Sequence, residues 1–136
     1  MSVIRSTEAR RTETPNAVMT TYASPTQGGA ALAVWHVDMQ PGRQGPLHAM
    51  DTEQVWTFLT GDVVIDLAGE EVAVAAGDTV VLPADVARQL RTSSGFTAVV
   101  ASPTPSVAYN PDAVTPEGAC GLAPRDDERV VPPWIA

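Results

Sequence analysis

Two segments of the chain carry polar side chains that can do chemistry. His48 and Gln54 lie six residues apart in the first segment, and Arg88 lies in the second. An imidazole exchanges a proton near neutral pH or binds a metal, and a primary amide both donates and accepts hydrogen bonds. A guanidinium stays positive and pairs with carboxylates or oxyanions. Brought together, these three groups could move a proton and hold the negative charge that results.

The spacing within the two segments resembles the two signature motifs of the cupin family. The first segment, PGRQGPLHAMDTEQVWTFLTG, runs from Pro41 to Gly61; the family pattern is Gly, five residues, His-x-His, three or four residues, Glu, six residues, Gly. The second, GDTVVLPADVARQLRT from Gly77, resembles Gly, five residues, Pro-x-Gly, two residues, His, three residues, Asn. The resemblance covers roughly residues 30–101 and implies an all-β fold. That fold is a single antiparallel jelly-roll β-barrel, often dimeric, with a metal or a small-molecule site in its mouth.

The residues at the family's metal-binding positions have changed. Where the family has His, His, Glu and His, this chain has His48, Met50, Gln54 and Arg88. A neutral amide oxygen is a weaker ligand than a carboxylate, and a thioether suits Cu(I) better than a hard cation. Arg88 has no usable lone pair and would oppose a cation. We therefore expect no cofactor, with a divalent metal or copper held by His48 and Gln54 as the alternative.

Apolar and aromatic side chains are expected to surround these polar groups inside the barrel. The predicted substrate-binding residues are Trp35, Val37, Met39, Met50, Trp56 and Phe58. Such a mixture is typical of a pocket for a flat, carbonyl-bearing organic molecule. A barrel filled by its own side chains is the alternative. The pocket is favoured because three polar groups are costly to bury with nothing to bond.

His48, Arg88 and Gln54 are the predicted catalytic residues. Arg88 near a neutral His48 would lower the pKa of the imidazole by like-charge repulsion and keep it available as a general base. The guanidinium itself could bind a carboxylate or stabilise an enolate oxygen. The structural alternatives are a salt bridge from Arg88 to Asp85 or Glu53, and a Gln54 amide that only fixes its two neighbours.

Alternating hydrophobicity predicts a series of short strands that close into a sandwich or barrel. In ALAVWHVDM, Trp35, Val37 and Met39 should face the core and His36 the outer side. The strand QVWTFL follows, and the resemblance places its Gln54 on the inner face. Thr60-Gly61-Asp62 is then expected to form a hairpin turn.

Composition divides the chain into three parts. Residues 1–16 are polar and predict a flexible N-terminal arm, residues 17–101 form the barrel, and residues 102–136 are a Pro-rich C-terminal tail. The tail ends in the apolar sequence VVPPWIA, which should pack back on the barrel across its open end, or against a second subunit. Cys120 lies in this tail with no histidine near it in sequence, so we assign it no nucleophilic role.

Charge and length exclude several classes of protein. The 136 residues suit one domain, and the net charge of −8, with no lysine, disfavours nucleic acid and anionic membranes as partners. A lone cysteine, no apolar leader sequence and no long apolar run predict a cytoplasmic protein. The expected partners are a small-molecule substrate and a second copy of the chain in a homodimer.

These features favour a metal-independent enzyme of the cyclase, isomerase or lyase type. Its substrate would be a carbonyl-bearing, polyketide-like compound, with His48 as the acid and base and Arg88 as the oxyanion or carboxylate anchor. Two alternatives remain at this point. One is a metal-dependent cupin oxygenase with a degenerate ligand set, and the other is a non-catalytic cupin that binds a small molecule.

Overall fold

The fold is all-β. The computed structural model describes residues 1–111 and 128–136, which form eleven strands and no helix. Nothing in these ranges is a helix long and apolar enough to cross a membrane. The strands are β1 Arg10–Glu13, β2 Ala17–Ala23, β3 Leu32–Met39, β4 Ala49–Met50, β5 Gln54–Leu67, β6 Glu70–Ala75, β7 Thr79–Leu82, β8 Arg88–Arg91, β9 Phe96–Pro103, β10 Ala108–Tyr109 and β11 Arg129–Val130.

The long strand β5 joins the two halves of the barrel. Its first half pairs with β7 and β9, and its second half pairs with β6 and β8. Strands β3, β2 and β1 extend the sheet beyond β9, and all of these pairings are antiparallel. This arrangement confirms the expected jelly-roll barrel.

The predicted hairpin at residues 60–62 is wrong, because β5 bends there without reversing. The register with β9 shifts between Phe58 and Thr60, as at a β-bulge. Gly61 has a φ of 78°, and a Cβ built on it would lie 1.9 Å from the carbonyl oxygen of Gly95. Only glycine fits so close to a neighbouring backbone, so here it bends a strand where the sequence suggested a turn.

The strand faces lie as the alternation predicted. Trp35, Val37 and Met39 are buried in β3, while His36 is half-buried on the other face, with its ring 6.3 Å from that of Tyr22. Gln54 and Phe58 of β5 are buried on the inner side. A two-residue period fixes a whole strand once one residue is placed, and the motif resemblance placed Gln54.

The two ends of the chain both pack on the barrel. The N-terminal arm was expected to be flexible up to residue 16, but Arg10–Glu13 form the edge strand β1, paired along its length with β2. Residues 128–136, here called the C-terminal strap, begin in a small sheet in which β10 lies between β11 and β4. Within the strap, Ile135 is 1% exposed. Cys120 lies outside the described residues.

Candidate functional site

His48 and Arg88 lie opposite each other on adjacent chain segments. The amide of His48 donates to the carbonyl of Arg88 at 3.1 Å, and the amide of Arg88 donates back to the carbonyl of His48 at 2.8 Å. Directly opposed residues of an antiparallel pair project their side chains to the same face, with Cβ atoms about 5 Å apart. Both side chains line one cavity inside the barrel. The backbone therefore brings together two groups forty positions apart in sequence.

The imidazole of His48 is held in one tautomer. Its Nδ1 lies 2.9 Å from the carbonyl oxygen of Pro46, which can only accept, so Nδ1 carries the proton in the neutral ring. None of the described residues hydrogen-bonds to Nε2, whose lone pair is left for a ligand. Burial, reinforced more weakly by the charge of Arg88 and opposed by the bond to Pro46, lowers the pKa of His48 to about 4. The expected direction is confirmed, although burial is a larger cause than Arg88.

The guanidinium of Arg88 is 1% exposed, and within the described part of the chain all of its hydrogen bonds go to neutral oxygens. Its Nε donates to the carbonyl of Val86 at 3.1 Å, and its two terminal nitrogens donate to the carbonyl of Pro83 at 2.8 Å and to Gln54 at 3.3 Å. Burial lowers its pKa to about 10, which still leaves it protonated at neutral pH. A guanidinium has five N–H donors, so these three bonds leave two for a ligand.

The carboxylates considered as partners for Arg88 do not pair with it. Both salt bridges found in the described residues lie elsewhere, between Arg11 and Glu13 and between Arg91 and Glu71. Asp85 accepts a hydrogen bond from the hydroxyl of Tyr109 at 2.7 Å instead. Glu53 is exposed. The salt-bridge interpretation of Arg88 is therefore wrong for the residues that the structure describes.

The side-chain oxygen of Gln54 is already used twice. It accepts from the indole nitrogen of Trp56 at 3.0 Å and from Arg88 at 3.3 Å. This fixes the orientation of the amide, since both partners can only donate. The amide nitrogen of Gln54 is thereby directed away from these two donors, and Gln54 as a whole lines the cavity. The residue fixes its neighbours, as one interpretation of the sequence held, and keeps a donor for a ligand.

These donors do not fit a divalent metal ion. Of the four positions, His48 alone offers an available nitrogen lone pair, while Gln54 directs its oxygen at a guanidinium and an indole. Met50 offers a soft thioether, and Arg88 brings a positive charge to the same place. Within residues 1–111 and 128–136, no three His, Cys, Asp or Glu side chains converge on one point. The N–H donors of Gln54 and Arg88 are therefore better suited to an anionic or carbonyl-bearing ligand, with Met50 as part of the apolar wall.

The cavity measures about 120 Å³ and has mostly apolar walls. Five of the six predicted substrate-binding residues line it, namely Trp35, Val37, Met39, Met50 and Trp56. Phe58 is the exception, because it is 1% exposed and stacks behind Trp56, with ring centroids 6.0 Å apart. We therefore expect Phe58 to support Trp56 and not to touch a ligand. Leu90, two residues after Arg88 on β8, also faces the cavity.

Part of the cavity wall comes from the two ends of the chain, which the site prediction left out. Pro132, Trp134 and Ile135 of the C-terminal strap line it, as do Asn16 and Met19 near the N-terminus. The apolar character of VVPPWIA was the available signal, since it predicted that this segment packs on something. Nothing in its spacing identified the cavity as the place where it packs.

Comparison with known proteins gives consistent matches to one family. The model of the family described as "Cupin domain" matches residues 35–102. An RmlC-like cupin from Shewanella frigidimarina has a similar structure, with a TM-score of 0.66, 16% identity, and coverage of 77% of this chain and 93% of that one. The polyketide cyclase RemF from Streptomyces resistomycificus is also similar, with a TM-score of 0.65, 15% identity, and coverage of 78% and 83%.

A third similar structure is a salicylate 1,2-dioxygenase from Pseudoaminobacter salicylatoxidans, with a TM-score of 0.63 and 22% identity. The match covers 71% of this chain but only 27% of the dioxygenase. No curated protein matches the sequence. At these identities the likenesses establish the fold and leave the reaction to be argued from the site.

Proposed function

This chain belongs to the cupin family, and we propose that it is a metal-independent enzyme that moves a proton on a small carbonyl compound, as cyclases, isomerases and lyases do. One observation carries the proposal. In an apolar cavity, a buried guanidinium with no acidic partner in the described residues lies beside a neutral imidazole whose Nε2 is available. A positive charge held in this way favours a ligand in which negative charge is present or develops.

The chemistry follows from the groups present. Nε2 of His48 takes a proton from the carbon next to a carbonyl; the C–H electron pair forms a C=C bond, and the carbonyl electrons move onto oxygen. Arg88, and the amide nitrogen of Gln54, donate hydrogen bonds to this enolate oxygen. In an isomerisation, the imidazolium returns the proton to a different carbon. In a cyclisation, the enolate carbon attacks a second carbonyl of the same molecule, and the new alkoxide takes the proton.

The low pKa of His48 determines how far proton abstraction by His48 depends on charge stabilisation by Arg88. With a pKa of about 4, the imidazole is neutral at pH 7 but is a weak base, so proton abstraction cannot rest on its basicity alone. An enolate bound between His48 and Arg88 would offset the guanidinium charge and stabilise the imidazolium. Catalysis would then depend on charge stabilisation that is strongest in the transition state.

The size of the cavity restricts the substrate class. An apolar cavity of about 150 Å³ holds one benzene molecule. At about 120 Å³, this one would enclose a single ring or the reacting end of a longer chain. A polyketide-like substrate is suggested further by the similarity to a polyketide cyclase. At 15% identity this is an analogy, and it supports the proposal less than the site does.

Two other functions give different results in the same assays. A metal-dependent oxygenase is suggested by the similarity to a dioxygenase, but the donor set described above opposes it. A binding protein without catalysis is favoured by the weak basicity of His48. The expected homodimer, the cytoplasmic location and the exclusion of nucleic acid as a partner stay predictions.

Proton exchange tests the proposal directly. Chelator-treated protein is incubated with cyclohexanone in deuterated water, and loss of the α-proton signal is followed by NMR. We expect exchange above the buffer rate, reduced about 100-fold or more in His48→Gln, because a positioned base contributes at least about that factor. His36→Gln is the control, since this second histidine is half-buried on the opposite face of β3.

Two results would overturn the proposal. Exchange at the buffer rate by a protein that still binds a ring-sized carboxylate would identify a binding protein. Activity that appears only when a divalent metal is added back, and that is lost in His48→Gln, would identify a metal-dependent enzyme.

A further inference from the structure

The part of the C-terminal strap that lines the cavity follows β11 and lies outside the strands. Pro132, Trp134 and Ile135 all line the space that also contains His48 and Arg88. Pro132 and Ile135 are buried, whereas Trp134 is only half-buried and packs against the edge of the core. Trp134 therefore places a large side chain at the cavity wall, and the core encloses that side chain only in part.

The strap is fixed on both sides of Trp134. On one side, β11 pairs with β10, and the guanidinium of Arg129 lies 4.4 Å above the ring of Tyr109. On the other side, the carbonyl of Trp134 accepts from the hydroxyl of Thr21 at 2.9 Å. The main-chain oxygen of Ala136 accepts from Arg10 at 2.8 Å, Ser24 at 2.6 Å and Thr26 at 2.7 Å.

None of these attachments uses the indole of Trp134: Arg129 is held through its side chain, and Trp134 and Ala136 are held through their main-chain oxygens. The carbonyl of Trp134 and the oxygen of Ala136 would keep their donors if the indole were removed. Trimming the side chain should therefore enlarge the cavity and leave the strap in place. The same change at Trp35, which is 1% exposed, would remove part of the core.

We infer that Trp134 sets the upper size limit of the ligand, so that the cavity accepts one ring and rejects two fused rings. The inference rests on the proposed function only in taking this cavity as the ligand site. The cavity of about 120 Å³ is close to the size that holds one benzene molecule. Loss of an indole at its wall would make room for a second ring. Trp134 is thus a specificity-determining residue and takes no part in proton transfer.

Equilibrium binding of two unreactive probes tests this inference. Benzoate and 2-naphthoate carry the same carboxylate for Arg88 and differ by one ring. Their dissociation constants are measured by calorimetry for the unaltered chain, Trp134→Ala and Trp134→Phe. We expect the unaltered chain to prefer benzoate by about 10-fold or more, and Trp134→Ala to shift that ratio about 10-fold toward 2-naphthoate. Trp134→Phe should lie between the two.

Val131→Ala is the matched control, because Val131 is on the same strap, is 46% exposed and does not line the cavity. The ratio of its dissociation constants for benzoate and 2-naphthoate should equal that of the unaltered chain. An unchanged ratio in both Trp134 variants, an equal change in Val131→Ala, or failure of every form to bind either probe would overturn the inference. Thermal melting identifies a misfolded Trp134→Ala, in which case Trp134→Phe decides. Proton exchange can fail while this ratio shifts, so the two proposals are tested separately.

Discussion

His48 and Arg88 form one hydrogen-bonded rung of an antiparallel pair, joined by two main-chain hydrogen bonds of 3.1 and 2.8 Å. The relative position of the two side chains is therefore set by backbone register. Substituting either side chain leaves both of these hydrogen bonds intact. Variants at the two positions should thus report on the imidazole and the guanidinium themselves, with little displacement of the surrounding chain.

Removal of the Arg88 charge should abolish tight carboxylate binding. In Arg88→Met, benzoate loses a charge-assisted donor pair in a buried site, and truncating one partner of such a pair costs at least about 2 kcal/mol. We expect affinity to fall about 30-fold or more by calorimetry. Arg88→Lys should lose less, because it keeps the charge but not the planar arrangement of donors.

Arg91 provides the control for this prediction. It lies on the same strand, three residues later, is exposed and pairs with Glu71 at 2.7 Å. Arg91→Met removes the same net charge from the protein without touching the cavity. If it weakened benzoate binding as much as Arg88→Met, the effect would be one of overall charge, and the site assignment would fail.

Stability should fall on mild acidification because of His48. Its pKa is about 4 in the folded protein, against 6.5 for an ordinary histidine. Between these values the unfolded chain binds the extra proton and the folded chain does not, so the free energy of unfolding decreases as pH falls from 6.5 to 4. Above pH 6.5, His48 is neutral in both the folded and the unfolded chain, so its full contribution to the free energy of unfolding is present.

Acidification through this range should lower the free energy of unfolding by at most about 3 kcal/mol. One pKa unit corresponds to about 1.4 kcal/mol, and partial solvent access to His48 reduces the effect. Urea unfolding at a series of pH values measures it, and His48→Gln should flatten the profile over this window. A variant at His48 with the same slope as the unaltered chain would show that other groups cause the pH dependence.

Restoring the family's metal ligands should create a metal site. The triple variant with Met50→His, Gln54→Glu and Arg88→His has three imidazoles and a carboxylate at the four motif positions, and no guanidinium. We expect elemental analysis to find about one divalent metal per chain in this variant and far less in the unaltered protein. Stoichiometric metal in the unaltered protein, lost in His48→Gln, would contradict the interpretation of the site.

Much of this site could be predicted from sequence because β-structure has a two-residue period. Once the motif spacing placed Gln54 on the inner face, Trp56 and Phe58 had to follow it, and both do face inward. The motif spacing also predicted that His48 and Arg88 belong to one site. The antiparallel bridge between the two residues explains why their side chains meet. Residue types then indicated which of these groups could bind a metal.

Other features depend on contacts that the local sequence does not encode. Gly61 follows a strand pattern and precedes an aspartate, which suggested a turn, whereas its actual role is to let β5 bend past the carbonyl of Gly95. Trp134 lies at the cavity on a strap that is held by residues distant in sequence, such as Thr21. Asp85 was a candidate partner for Arg88, but its carboxylate accepts a hydrogen bond from the hydroxyl of Tyr109 instead.

Asp85 occupies the position of the glycine that follows Pro-x in the second family motif, and its backbone has the left-handed conformation that glycine adopts easily. Its φ is 63°, its amide donates to the carbonyl of Met50 at 2.7 Å, and its carboxylate accepts from Tyr109. Asp85→Gly and Asp85→Ala both lose the Tyr109 bond, so they differ mainly in backbone strain. Alanine pays about 1 kcal/mol or more for a left-handed conformation, so Asp85→Gly should be the more stable of the two by urea unfolding.

The neighbouring position gives the opposite expectation and so serves as the control. Ala84 is not among the residues with positive φ. Ala84→Gly should lower the free energy of unfolding by about 0.5 to 1 kcal/mol, because glycine makes the unfolded chain more flexible.

Both Asp85 variants should also lower the pKa of Tyr109, because its hydrogen bond to Asp85 is the main cause that raises it. Titration by ultraviolet absorbance follows this change. If Asp85→Ala were as stable as Asp85→Gly, the backbone at Asp85 would not hold the left-handed conformation that keeps this loop against Met50.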